Sequence, residues 1–148
     1  MTALLAACAA PDAPPHQAAS VTREQFRQLA WITGSWRGSG THQAAFFEDY
    51  RFVNDSTIQT RSLADSSLRN VTDSSTIEWR KGFIEGRSAH SSYVVTSFTP
   101  TSITFIRRGE ARQGHTFARV SADEWTATLH PAEPGGEPVI YTMRRIGP

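Results

Sequence analysis

The stretch Gly34-Ser35-Trp36-Arg37-Gly38-Ser39-Gly40 decides the predicted fold. A short helical pattern precedes it, over residues 22–32, and a series of short β-like runs follows it. Glycine weakens a regular strand, so its repetition here indicates a strand that bends sharply or that other groups approach closely. The first strand of a small barrel does both where it crosses the barrel end. Trp36, set between small residues, is therefore predicted to point inward as a plug.

The segment before this stretch carries the signals of a short amphipathic helix. Thr22 and Gln25 have the spacing of a capping box, and Phe26 and Leu29 share one face. Gly34 ends the helix. A helix of about ten residues is marginal on its own. We therefore expect its apolar face to dock on the closed end of the barrel.

The remainder of the chain is predicted to consist of short strands. They are expected at residues 35–41, 45–53, 57–63, 76–81, 92–98, 102–108, 115–121, 125–130 and 139–146, with a weaker run at 83–87. Residues 64–75 are predicted to be irregular. Parallel pairs need long crossovers, and no second helix could supply one. The sequence therefore predicts an all-β fold, a small antiparallel up-and-down barrel of about 8–9 strands with one short N-terminal helix. A two-sheet sandwich is the alternative.

The first twenty residues suggest a membrane anchor rather than part of the barrel. Cys8 is the only cysteine, and Leu5-Ala6-Ala7-Cys8 matches the bacterial lipobox, in which the cysteine is lipidated. Residues 1–7 are then the remnant of a signal peptide, 8–20 a flexible Ala/Pro tether, and 21–148 the barrel domain. This predicts a lipid-anchored protein of the bacterial cell envelope, on the periplasmic side, with the membrane as a partner through Cys8. An unstructured Ala-rich tail with an inert thiol is the alternative.

The charges exclude one large class of partners. The chain has 15 Lys and Arg against 14 Asp and Glu, and the two signs are interspersed. A nucleic-acid surface needs clustered basic residues, so no nucleic-acid partner is predicted. No run approaches the roughly 20 apolar residues that a helical membrane span requires.

The sequence offers no set of residues suited to catalysis or metal binding. None of the five histidines is paired at a metal-ligand spacing. Glu48 and Asp49 are adjacent, so they point to opposite faces of a strand and cannot act as an acid–base pair. Gly38-Ser39-Gly40 is not a nucleophile elbow. We therefore predict no catalytic residue, no metal and no cofactor, and a protein that is not an enzyme.

The chain resembles a known class of barrels. Leu29-Ala30-Trp31-Ile32-Thr33-Gly34-Ser35-Trp36-Arg37-Gly38 is similar to the opening of uncharacterised bacterial lipocalin-like families, and residues 22–148 resemble a lipocalin-like, or calycin, domain. In calycins the tryptophan of the first strand packs beneath an arginine of the last strand, a role that the resemblance gives to Arg144 or Arg145. The resemblance implies a cup for a small apolar or amphipathic molecule. A similar glycine–tryptophan pattern opens nitrobindin-like haem-binding barrels, which makes a haem, with His130 as its axial ligand, a further alternative.

The strand over residues 45–53 predicts a barrel interior that is partly polar. Its two faces, Phe46, Glu48, Tyr50 and Phe52 against Phe47, Asp49, Arg51 and Val53, each mix polar and apolar residues. The predicted ligand-binding residues are the aromatic side chains Tyr50, Phe52, Trp79, Tyr93 and Phe105, with Arg61 and Arg80 to bind a carboxylate. The predicted function is non-enzymatic binding or carriage of a small apolar or carboxylated molecule. A solid barrel whose outer face binds another envelope protein is the alternative.

Overall fold

The wall of the molecule is one antiparallel sheet that closes on itself, in a computed structural model that describes residues 16–147. Its strands are β1 (Gly34–Gly40), β2 (Gln43–Asn54), β3 (Thr57–Leu63), β4 (Val71–Arg80), β5 (Phe83–Arg87), β6 (Ser92–Thr99), β7 (Ser102–Arg107), β8 (Gly114–Arg119), β9 (Glu124–His130) and β10 (Val139–Arg145). Each strand pairs with the next in sequence, and β10 pairs with β1. The predicted up-and-down barrel is confirmed, and the sandwich is wrong.

The strand count differs from the prediction, because the barrel has ten strands rather than 8–9. The weak run at residues 83–87 is a full strand, β5, although two of its residues are charged and one is glycine. β4 begins at Val71, inside the stretch predicted to be irregular. The polar residues at the start of β4 hide its strand character, because they lie near the open end of the barrel.

A short helical segment covers one end of the barrel. Helix α1 (Arg23–Arg27) continues into a 3₁₀ segment, Gln28–Ile32. The predicted capping box is present: the Gln25 amide N–H donates to Thr22 Oγ1 at 3.1 Å, and the Thr22 amide N–H donates to Gln25 Oε1 at 2.8 Å. Phe26, Leu29 and Ile32 are completely buried against the barrel. Within residues 16–147, neither helical piece has the length and apolar character that a membrane span requires.

Trp36 lies at the centre of this closed end. Its side chain has no solvent exposure, and its indole N–H donates to the Ile32 carbonyl at 2.7 Å. Its ring meets Trp125 edge to face, with centroids 5.8 Å apart. The guanidinium carbon of Arg145 lies 4.2 Å from the Trp36 ring centroid. Of the two terminal arginines, Arg145 therefore covers the tryptophan, while Arg144 points outward and pairs with Glu124 at 3.2 Å.

The glycines around Trp36 make room for other side chains. Gly34 has a φ of +116°, and a Cβ there would collide with the Arg145 guanidinium. A Cβ at Gly38 would collide with the ring of Phe46, which covers the inner face of β1. These glycines therefore permit the close approach that the sequence predicted for the first strand.

The chain before the helix closes a gap in the barrel wall. β5 and β6 pair only from Glu85 to Arg87, so the two strands diverge toward the closed end. There the Ala19 amide N–H donates to the Val95 carbonyl and the Val21 amide N–H to the Gly82 carbonyl, each at 2.8 Å. The last residues of the predicted tether are thus held by the barrel. The predictions for residues 1–15, including lipidation of Cys8, lie outside the described residues.

Candidate functional site

The barrel encloses a cavity of about 420 Å³ at the end opposite the helix. Seven aromatic residues line it, Phe46, Tyr50, Tyr93, Phe105, Phe117, Trp125 and Tyr141. Its polar lining includes Glu48, Thr60, Ser62, Asp73, Ser75, Arg87 and His115. Because Asp73 and Arg87 are also exposed at the surface, the cavity reaches the outside at this end.

Small inward-facing residues leave this half of the barrel hollow. Gly86 lines the cavity on β5, and Thr60, Ser62 and Ser75 line it on β3 and β4. Toward the closed end the same strands contribute the buried side chains Ile58, Ile77 and Ile84, and Ile77 also borders the cavity. Interiors pack to nearly uniform density, so exchanging isoleucine for serine and glycine along a strand creates a void.

A column of aromatic rings connects the closed end to the cavity. The Phe117 ring centroid lies 4.7 Å from that of Trp125 and 5.0 Å from that of His115. The His115 imidazole stacks on Phe105 at 4.6 Å, with an interplanar angle of 23°, and meets the edge of Tyr93 at 5.0 Å. These rings give the cavity one rigid apolar wall.

His115 is a neutral imidazole in this wall. Burial, reinforced by the nearby His130, lowers the pKa of His115 to about 4. Neither of its ring nitrogens has a hydrogen-bond partner within the part of the chain that the structure describes. A neutral imidazole offers one donor and one acceptor, so both functions are left for a bound molecule or for water.

Glu48 and Tyr50 form a buried polar pair on the inner face of β2. The Tyr50 hydroxyl donates to Glu48 Oε2 at 2.7 Å. Burial raises the pKa of Glu48, and the hydrogen bond from Tyr50 opposes that rise. Burial, together with the neighbouring carboxylate, holds the pKa of Tyr50 well above 10.0. Tyr50 is therefore a fixed donor, and Glu48 keeps a carboxylate oxygen for a second donor.

Three of the seven predicted ligand-binding residues line the cavity. Tyr50, Tyr93 and Phe105 are on its wall. Phe52 and Trp79 are not, because they lie under the N-terminal segment at the closed end. Phe52 packs edge to face on Phe26 at 5.7 Å, and the Trp79 indole N–H donates to the Val21 carbonyl at 2.7 Å.

The two predicted arginines also lie away from the cavity. Arg61 stands opposite Asp49 in the register of β2 and β3 and pairs with it, its Nε donating to Asp49 Oδ1 at 2.8 Å. Arg80 is exposed and contacts Glu78 at 3.4 Å. Both arginines occupy the outer face of the wall, so neither can hold a carboxylate inside the barrel.

Sequence reasoning missed His115 and did not select Glu48 as a site residue. Glu48 shares the predicted face of Tyr50, so alternation alone places it inside. His115 alternates with Phe117 in the same way. The signal that could have found both is a polar residue that alternates with aromatic residues, so that all of them share one face of a strand.

The arrangement does not fit the haem alternative, in which His130 is the axial ligand. His130 lies on the outer wall, where its Nε2 is 2.8 Å from Thr116 Oγ1. The histidine inside the cavity is His115, and rings of Phe105, Tyr93 and Phe117 pack against it. Among residues 16–147, no group of three or more His, Cys, Asp or Glu side chains is placed to hold a metal ion.

No protein-family model matches the chain, and no curated protein matches it. Among solved structures the chain is similar to a redesigned β-barrel, with 11% sequence identity and a TM-score of 0.41. The match covers 82% of this chain and 96% of that barrel. The closed barrel is defined by the strand pairing of the chain itself.

Proposed function

We propose that the protein binds a small amphipathic molecule inside its barrel, as a non-enzymatic binding or carrier protein. The observation that carries the proposal is the cavity of about 420 Å³, lined by aromatic rings and a few converging polar groups. Ligand pockets are typically about 300–1,000 Å³ and have this composition. The ligand's apolar body would lie against the column formed by Phe105, His115 and Phe117.

The cavity weighs against the solid-barrel alternative. A scaffold that binds a partner only through its outer face gains nothing from a hollow interior, because space that side chains do not fill contributes no packing to the stability of the fold. The unpaired polar functions of His115 and Glu48 would in that case be left to water. A ligand that fills the space and pairs these groups accounts for both features.

The proposal includes the lipocalin-like family and an address in the bacterial envelope, with Cys8 as the lipidated residue. The stacking of Arg145 on Trp36, at 4.2 Å, supports the calycin resemblance. The lipobox pattern at residues 5–8 supports the anchor. Metabolic labelling with a clickable fatty acid, compared with the Cys8→Ser variant, tests the anchor separately from the cavity.

Two measurements test the proposed ligand binding. Native mass spectrometry of gently purified protein should reveal a co-purifying small molecule. Titration with N-phenyl-1-naphthylamine, a neutral apolar dye, should give saturable fluorescence enhancement. Gly86→Leu places a leucine side chain in the cavity and should abolish the enhancement, whereas Thr128→Leu places the same side chain on the outer wall and should preserve it.

Two results would overturn the proposal. One is the absence of both a co-purifying ligand and dye binding. The other is dye binding that Gly86→Leu leaves unchanged, because the dye would then lie outside the cavity. Addition of haemin is a further test. A Soret shift that is lost in His115→Phe would mean that the ligand is haem and not a small amphipathic molecule.

A further inference from the structure

The carboxylate of Glu48 is a hydrogen-bond acceptor that the barrel uses only in part. Oε2 accepts from the Tyr50 hydroxyl at 2.7 Å. Oε1 receives no hydrogen bond from any other residue within 16–147, and the side chain lines the cavity. A carboxylate removed from bulk water is stabilised most strongly by a charged donor. The free oxygen therefore favours a ligand that brings an N–H group, and above all a cation.

The charged groups around the cavity, taken together, also favour a positively charged ligand. Glu48 on β2, Asp73 on β4, Arg87 on β5 and His115 on β8 line it. Arg87 already donates to Glu85 at 3.0 Å. The depressed pKa of His115, about 4, keeps its imidazole uncharged at neutral pH. Two carboxylates thus face a single arginine that is already paired, and the cavity is electrostatically suited to a cation.

We infer that the ligand carries an amine cation on an apolar body, and that Glu48 Oε1 accepts the ammonium N–H. This inference rests on the proposed ligand-binding function and gives it a chemical class. Tyr50 positions the carboxylate by holding its other oxygen. The rings of Phe105 and Phe117 pack against the apolar body, and their faces also attract cations. The preference is opposite in sign to the carboxylate binding predicted from Arg61 and Arg80.

Three probes that share one apolar body test the inference. They are 4-phenylbutylamine, 4-phenylbutanol and 4-phenylbutanoate, titrated calorimetrically into the full chain at pH 7 and low salt. We expect the amine to bind at least about tenfold more tightly than the alcohol, since the ammonium adds charge pairing with the carboxylate that a neutral hydroxyl lacks. The carboxylate probe should bind more weakly than the alcohol, because two carboxylates repel it.

A matched pair of variants assigns the preference to one side chain. Glu48→Gln preserves the shape and the bond from Tyr50 but removes the charge, so it should reduce amine affinity about tenfold and abolish most of the preference for the amine over the alcohol. Glu124→Gln makes the same chemical change on the outer wall, next to Arg144, and should change neither affinity.

The outcomes separate this inference from the proposed function. Equal binding of all three probes, tighter binding of the carboxylate probe, or an amine preference that survives Glu48→Gln would overturn the amine ligand and leave a binding barrel. Failure of all three probes, together with failure of the dye, would overturn both. If Glu48→Gln does not fold, the ranking of the probes on the wild-type chain decides.

Discussion

The closed end and the cavity end of the barrel are built from the same ten strands, yet their interiors differ in kind. At the closed end Trp36 and Trp125 fit edge to face, and Arg145 covers the assembly from outside. At the cavity end the strands present glycine, serine, Glu48 and His115 to an open volume. One end is filled with apolar side chains, and the other retains space and polar groups.

This difference shows that one small barrel can divide stability and binding between its ends. The rings of the closed end bury large apolar surfaces, and each such ring contributes several kcal/mol to folding. The cavity end contributes less, because empty volume and desolvated polar groups oppose folding. A protein of this size can support a destabilised binding half only if the other half is well packed.

The sharpest test of this division is removal of the plug. Trp36→Ala should lower the free energy of unfolding by about 4 kcal/mol, because it leaves a large cavity among fully buried neighbours. Phe46→Ala, at the mouth, should cost less than half as much, since its half-buried ring already borders open space. Urea denaturation of both variants measures the two values. Equal losses would mean that the ends contribute alike.

Acid should weaken the cavity end through His115. Its pKa is 6.5 in the unfolded chain and about 4 in the fold, so the unfolded state binds more protons between these values. The free energy of unfolding should therefore fall by about 3 kcal/mol as pH drops through this window. Glu48, whose pKa is raised, acts in the opposite direction. Denaturation of Glu48→Gln against the double variant with His115→Phe isolates the histidine, and parallel pH profiles would exclude it.

The two adjacent arginines of β10 allow a comparison between a contact at the closed end and a contact on the outer surface. Arg145 stacks on Trp36 and donates to the Thr33 and Ala122 carbonyls at 3.0 Å. Arg145→Met should cost about 2 kcal/mol. Arg144→Met should change the free energy of unfolding by less than about 0.5 kcal/mol, because its partner Glu124 lies on the surface. Matched thermal melts measure the difference, and a reversed order would contradict a structural role for Arg145 over Trp36.

The smallest effect expected is a gain. Glu48→Gln should raise the free energy of unfolding at pH 7 by about 0.5 kcal/mol, since a neutral amide avoids the desolvation that raises the carboxyl pKa. The gain should vanish below pH 4.5, the pKa of the group in the unfolded chain, because the carboxyl is then protonated in both states. A gain that persists at low pH would have another cause.

Alternation along a strand predicted which face of the wall a residue occupies better than it predicted the position of that residue along the barrel axis. Phe52 has the same parity as Tyr50, but it lies one level nearer the helix and packs on Phe26. Trp79 and Arg80 are neighbours, so they could not both face inward. The position along the axis depends on which strand ends meet the helix, and this is determined by the packing of the whole chain.

The register between neighbouring strands also decides which side chains face inward. Thr60 stands opposite Tyr50 and faces inward, whereas Arg61 stands opposite Asp49 and faces outward. A shift of one residue would exchange them, and a strand's sequence alone does not determine its register. The capping box at Thr22 and the opening glycines could be predicted because their signals are local.

The short pairing between β5 and β6 leaves a seam in the barrel wall that the two strands do not close by themselves. Residues 19–21 satisfy backbone groups of Val95 and Gly82 that the two strands do not satisfy for each other. Removing the chain up to residue 21 would turn that seam into two partly unpaired strand edges. Such edges recruit strands from other molecules, so the truncated protein should self-associate although its helix and plug remain intact.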